Sequence, residues 1–123
     1  MKVLIVDDDE DGLEFLTMAL PRRGFEVFCA HDVASARARL LEGGIDALVC
    51  DLSLPDGSGE NVLEGASNLP AIRVVLSGSD SAADRERTSK AGFQKHLVKP
   101  IDADELTATL RQLEAAQPTL SNR

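Results

Sequence analysis

Five short apolar runs, four of them stopped by a polar residue and each followed by a polar or amphipathic stretch, constrain this chain more than any other feature. Val3-Leu4-Ile5-Val6 stops at Asp7. Glu26 to Ala30 is the second run. Ala47-Leu48-Val49-Cys50 stops at Asp51, Ile72 to Leu76 stops at Ser77, and His96-Leu97-Val98 stops at Lys99. Continuous runs of this length, without polar alternation, predict strands buried on both faces. The stretches between them predict helices. Leu13, Leu16 and Leu20 recur at helical spacing, with Phe15 beside them, until Pro21 ends or kinks the helix. Asp32 or Ser35 caps the next, which carries Ala36 and Leu40-Leu41 and stops near Gly43-Gly44. Ser58 caps a short third helix through Val62 and Leu63, with Gly65 near its end. Ser81 caps a fourth, Ala82 to Ala91, stopped by Gly92. Asp102 caps a fifth, with Leu106, Leu110 and Leu113 on one face. The Leu and Phe stripes read as core. Strand and helix alternate five times, and the physical solution is an α/β domain: a parallel sheet with helices on both faces, joined by right-handed crossovers.

Composition narrows the possibilities. The chain of 123 residues suits one domain, assigned to residues 1–116, with 117–123, which include Pro118, as a tail or the start of a linker. It has no Trp or Tyr and four Phe, so the core must be aliphatic. Thirteen basic against twenty-one acidic residues leave a net charge of -8, which argues against direct nucleic-acid binding. Cys29 and Cys50 both lie in apolar runs and read as free buried thiols, which suits a reducing cytoplasm. No apolar run approaches the roughly 18 residues of a membrane span. The start of the chain has no signal-peptide pattern.

The chemistry is expected beyond the carboxyl ends of the strands, near the point where strand order reverses. Asp7, Asp8 and Asp9 follow the first run, Asp51 the third, Ser77 the fourth and Lys99-Pro100 the fifth. Carboxylates held within about 5 Å repel by several kcal/mol at an effective dielectric near 20, so their proximity calls for a cation. Hard oxygen ligands favour Mg²⁺. An opposing Lys offsets part of the remaining charge and can pair with a phosphoryl oxygen, and a Ser can donate to another. Such a set suits phosphoryl transfer to a carboxylate. Taken singly, Asp7 and Asp8 could equally cap the first helix, Asp9 could cap it or sit in solvent, and Lys99 could be a surface lysine.

Four segments in order carry a family resemblance: Val3 to Asp9; Asp51-Leu52-Ser53-Leu54-Pro55-Asp56-Gly57-Ser58-Gly59; Val75-Leu76-Ser77-Gly78; and His96-Leu97-Val98-Lys99-Pro100. Over residues 2 to 115 the chain resembles a response-regulator receiver domain of two-component signalling. The resemblance implies a flavodoxin-like (βα)5 fold with a five-stranded parallel sheet in the order 2-1-3-4-5. It implies Asp51 as acceptor of a phosphoryl group from a histidine kinase or histidine phosphotransfer protein. Mg²⁺ (or Mn²⁺) would be bound by Asp7, Asp8, Asp51 and the backbone carbonyl of Ser53. Ser77 would bind a phosphoryl oxygen and move on activation, and Lys99 would pair with the phosphate. A cis bond to Pro100 would aim that lysine. Gly59 would end the acceptor loop. Asp56 and Ser58 read as turn and capping residues. A downstream output domain or protein is a further implied partner. On this basis the chain is not an enzyme, apart from catalysing its own phosphotransfer and dephosphorylation.

The chain departs from the family pattern at several points. The stretch from Asp51 to Ser77 is shorter than usual, Ser77 replaces Thr, and Gly78 leaves the site open, which would favour faster hydrolysis. His96 stands at a switch position that often holds Tyr or Phe, and would bring pH-dependent charge to any movement there. Gln94-Lys95 and Thr109 stand where one large DNA-binding subgroup pairs Asp with Arg, which argues against that dimer mode. The Leu-Pro-Asp-Gly-Ser-Gly loop resembles receivers of hybrid kinases or other multi-domain regulators, and Met1 just before the first run suits an N-terminal or free-standing receiver. Three alternatives stand beside the receiver. A dehalogenase-type phosphatase would need Asp where Ser53 stands, a dinucleotide-binding domain would need G-x-G-x-x-G after the first strand, and an interaction domain would work without phosphorylation.

Overall fold

A computed structural model of the chain describes residues 1–64 and 66–117. Gly65 and most of the expected tail, from Pro118 onward, lie outside the described residues. The elements are β1 (Lys2–Val6), α1 (Glu10–Ala19), a 3₁₀ turn (Pro21–Arg23), β2 (Glu26–Ala30), α2 (Val33–Leu41), β3 (Ala47–Asp51), β4 (Ser53–Leu54), β5 (Gly57–Ser58), α3 (Gly59–Leu63), β6 (Ile72–Ser77), α4 (Ala82–Ala91), β7 (Lys95–Val98) and α5 (Ala103–Ala115). The five long strands form one parallel sheet in the order β2-β1-β3-β6-β7. Counting only those strands, this is 2-1-3-4-5, as the resemblance implies.

The sheet separates two apolar layers. Leu4, Val6, Leu48, Cys50 and Val75 face a layer completed by Ala36 and Leu40 of α2, Val62 and Leu63 of α3, and Phe93. Val3, Ile5, Val49, Val74 and Leu76 face the other, completed by Leu13 and Leu16 of α1 and Leu106 and Leu110 of α5. Alternate residues of one strand serve opposite layers, which is why the central runs had to be apolar throughout. That pattern holds in full for β3, and for β1 and β6 apart from Lys2 and the half-buried Arg73. The expectation of strands buried on both faces needs correcting at the sheet edges: most of β2 and all of β7 stay partly exposed.

Capping follows local chemistry. Asp9, Asp32, Ser81 and Asp102 each accept a backbone N–H at the start of their helices. Gly92 closes α4 in a left-handed conformation (φ 114°). Three burial expectations fail. Phe15 and Leu41 are 53% and 66% exposed, so they stand outside the core stripes. Cys29 is exposed on the edge strand β2, while Cys50 is buried in β3. Among the described residues no helix is long and apolar enough to cross a membrane.

Candidate functional site

The site follows from strand register. Val6 of β1 lies opposite Cys50 of β3, so Asp7 leaves the sheet beside Asp51. Ser77 of β6 lies opposite Val98 of β7, so Lys99 emerges one step further on, and its N–H donates to the Ser77 carbonyl at 2.8 Å. The result is a group of three carboxylates, Asp7, Asp8 and Asp51, each offering an oxygen within 4.8 Å of the others. Lys99 Nζ lies 3.0 Å from Asp7 Oδ2 and 3.0 Å from Asp51 Oδ2. Asp7 and Asp51 are buried and Asp8 is exposed. Asp9 is outside this group and caps α1, with Oδ1 3.2 Å from the Asp11 N–H. The Lys99–Pro100 bond is cis.

One ammonium serves two buried carboxylates, and this decides the electrostatics. Burial pushes the Asp51 carboxyl above its ordinary 3.8; Lys99 opposes the shift and the charge of Asp7 adds to it. Burial works against the Lys99 ammonium too, but its bonds to Asp51 and Asp7 outweigh that and hold it above the usual 10.5. The same contact thus lowers one partner and raises the other, and for Asp51 it does not overcome burial and the second acid. A set with excess negative charge and only oxygen donors suits a hard divalent cation. Cys50, beside this group, is pushed up by burial and by the charges of Asp51 and Asp7, so it remains a thiol.

The segment after Asp51 is more structured than its sequence suggests. β4 and β5 form a two-residue antiparallel ladder with Ser53 opposite Ser58. The Ser53 N–H points at Asp51 Oδ1 (3.4 Å), and the Asn61 side chain accepts the Ser58 N–H at 2.9 Å. Asp56 at the tip reaches across to α2, where its carboxylate accepts the N–H groups of Val33 (2.7 Å) and Ala34 (3.1 Å). The loop after Asp51 is thereby anchored to a helix that precedes it in sequence. Asp56→Ala should therefore lower stability by about 1 kcal/mol, as loss of a helix cap does. Urea unfolding would show a lower midpoint at unchanged m-value, with a smaller loss for Asp56→Asn. Gly59 opens α3 where a Cβ would sit 2.9 Å from the Asp51 carbonyl oxygen, closer than real Cβ atoms come to backbone.

Ser77 is buried at the end of β6, and its hydroxyl accepts the Ser79 N–H at 3.0 Å. With Asp51 and Ser53 it lines a cavity of about 360 Å³, and a Cβ at Gly78 would meet only open space. His96 is half-buried on β7. Its Nε2–H donates to the Ser79 carbonyl at 2.9 Å, and Nδ1 lies 3.2 Å from Thr88 Oγ1 on α4. It ties β7 to the Ser79 loop and to α4. Gln94 is spent inside the chain, accepting the Arg73 N–H and donating to the Ala71 carbonyl. Thr109 bonds back to the Glu105 carbonyl of its own helix.

Two cleft residues, and an acid that pairs with one of them, were not legible in sequence. Arg87 and Asp84 of α4 line the same cavity as Asp51, and Glu60 of α3 pairs with Arg87. Helix α4 is polar nearly throughout, with Thr88 its one buried side chain, so no apolar stripe signals which residues face the cleft.

Carboxylates and an ammonium gathered over the switch point of a 2-1-3-4-5 parallel sheet define a receiver domain of two-component signalling. The chain belongs to the response regulator receiver domain family, whose model matches residues 3–111. It is 38% identical over 120 residues to the transcriptional regulatory protein PrrA of Mycobacterium bovis, covering 91% of this chain and 49% of the relative. It is 37% identical to the photosynthetic apparatus regulatory protein RegA of Rhodovulum sulfidophilum, covering 94% and 64%. The chain thus spans about half the length of the PrrA-type relatives, which are named as transcriptional regulators. A CheY-like receiver domain from Methanospirillum hungatei superposes with a TM-score of 0.84 at 26% identity, covering 93% of this chain and 94% of that one. A response regulator from Burkholderia pseudomallei, described with a phosphorylated aspartic acid, a calcium ion and citrate, superposes with a TM-score of 0.81 at 27% identity, covering 99% and 75%.

Proposed function

We propose that this domain accepts a phosphoryl group on Asp51 from the phosphohistidine of a histidine kinase or histidine phosphotransfer protein. The observation that carries this is the placement of Asp51 between two further carboxylates and the ammonium of Lys99. A carboxylate oxygen of Asp51 forms the new bond to phosphorus as the bond from phosphorus to the imidazole nitrogen breaks, and the imidazole leaves with a proton. Asp7, Asp8, Asp51 and the Ser53 carbonyl are the groups to hold Mg²⁺ or Mn²⁺. When bound, the cation neutralises charge developing on the transferred group. Lys99 exchanges a carboxylate oxygen for a phosphoryl oxygen, and the Ser77 hydroxyl donates to another. The phosphorylated aspartate and the cation described for the Burkholderia pseudomallei regulator support the assignment.

Signalling then requires that a partner prefer the phosphorylated state. Ser77 and His96 are the residues to relay it, since both bond to the Ser79 segment ahead of α4. The domain would act in the cytoplasm and transform no separate substrate. In a longer regulator, contact with DNA would belong to an attached output domain, because this one carries a net charge of -8. Incubation with acetyl phosphate and Mg²⁺, read by intact-mass spectrometry, is expected to give a single Mg²⁺-dependent phosphoryl adduct. No adduct, together with no binding of beryllofluoride, would leave an interaction domain that works without phosphorylation.

A further inference from the structure

The cavity over Asp51 has a second charged wall that the proposed chemistry does not use. Arg87 projects from α4 and lines the cavity together with Asp51, Ser53 and Ser77. It is the one cation among that cavity's lining residues; Lys99 approaches Asp51 from the side of Asp7. The side chains around the opening are small, Ser53, Gly78 and Ser79, so a long side chain can reach past them. Arg87 is held at the rim by two acids. Its Nε lies 2.6 Å from Glu60 Oε1 on α3, and its Nη1 lies 3.6 Å from Asp84 Oδ1 one turn earlier on α4. Its side chain is half exposed.

We infer that Arg87 is a second cationic partner for the phosphoryl group on Asp51, kept at the rim by Glu60 until that group arrives. This rests on Asp51 being the acceptor. The phosphoryl group carries about −1.5 to −2 charge and three acceptor oxygens in place of the single charge of the Asp51 carboxylate, and a guanidinium is shaped to pair with it. A turn of Arg87 toward the phosphoryl group would withdraw it from Glu60. The α3–α4 ion pair is then part of the switch: phosphorylation breaks it, and α4 gains freedom from α3. Glu60 and the phosphoryl group compete for one guanidinium, so linkage makes Glu60 a brake on the phosphorylated state.

Competition predicts opposite signs for the two ends of the pair. Mg²⁺-dependent beryllofluoride binding, measured by titration calorimetry, is expected to weaken about fivefold in Arg87→Gln and to tighten in Glu60→Gln. Arg87→Lys, which keeps the charge but loses the paired donors, should fall between wild type and Arg87→Gln. Urea unfolding of Glu60→Gln, Arg87→Gln and the double variant should show coupling between the two residues without beryllofluoride and none with it. If both Gln variants weaken binding alike, or neither changes it, Arg87 is only a brace between helices and the inference fails. If wild type itself binds no beryllofluoride, the acceptor assignment fails first.

Discussion

Asp51→Asn is expected to abolish the phosphoryl adduct and, in the same protein, to raise resistance to heat and urea in the absence of divalent metal. The loss of adduct is complete because the amide has no nucleophilic carboxylate. The gain in stability comes from the cost of holding that carboxylate. Its folded-state value lies above the free 3.8, chiefly through burial. Folding therefore takes up protons between 3.8 and the folded value, and stability falls as pH rises through that window. The cost is absent below 3.8 and complete once Asp51 is ionised in both states. Asn has no charge to desolvate, so its advantage over wild type should appear as pH rises from acid to neutral, as a Tm higher by a few degrees. Added Mg²⁺ should stabilise wild type more than the variant and narrow the difference. Equal stability of the two proteins at pH 7 without metal would show that the site stores no such cost.

Lys99→Met is expected to act in the opposite direction. It leaves Asp7 and Asp51 buried without their shared cation at 3.0 Å. Removing one partner from a largely buried ion pair is strongly destabilising; because Lys99 keeps 30% of its side chain exposed, the loss at pH 7 should be about 2 kcal/mol. The ammonium holds its proton above 10.5, so its contribution is fully present from neutral pH up to 10.5 and is lost as pH rises through the folded value. In the variant the destabilisation should shrink on acidification, as Asp51 protonates, and also shrink with Mg²⁺, which replaces the missing charge. Urea midpoints at pH 4 and pH 7, with and without Mg²⁺, would test this. A loss that is the same in all four conditions would mean that Lys99 contributes packing of its aliphatic stem and not charge. Phosphorylation by acetyl phosphate should fall sharply in the same variant, because the phosphoryl group loses its nearest cation.

The two variants bear on one property. Both expected results describe a site that gathers three carboxylates at the expense of the fold, with the surrounding core offsetting that cost. The two apolar layers, with Leu4, Leu48, Leu106 and Leu110 fully buried, supply the margin.

Much of the molecule was legible from residues alone, for a local reason. A strand buried on both faces must be apolar along its whole length, so β1, β3 and β6 announce themselves, and the polar residue that stops each run must stand at a strand end. That places Asp7, Asp51, Ser77 and Lys99 at one edge of a parallel sheet before any coordinate is known. Helix caps are equally local, and Asp32, Ser81 and Asp102 act as expected. What the tertiary structure decided depends on neighbours distant in sequence. The edge strands β2 and β7 read as apolar runs, yet among the described residues one flank of each has no partner strand and their faces are only partly covered, and Cys29 is exposed. Phe15 has helical spacing close to core leucines, but its direction on α1 turns it outward. Asp56 looks like a turn residue and is also a cap for α2, because the β4–β5 ladder carries it there. Arg87 lies on a helix with almost no apolar stripe, and only the packing of α4 against α3 and β7 brings it to the cleft. Periodicity and strand-end chemistry are written within a few residues of each other; the reach of a long side chain across a cleft is written nowhere in the chain until the sheet has closed its register.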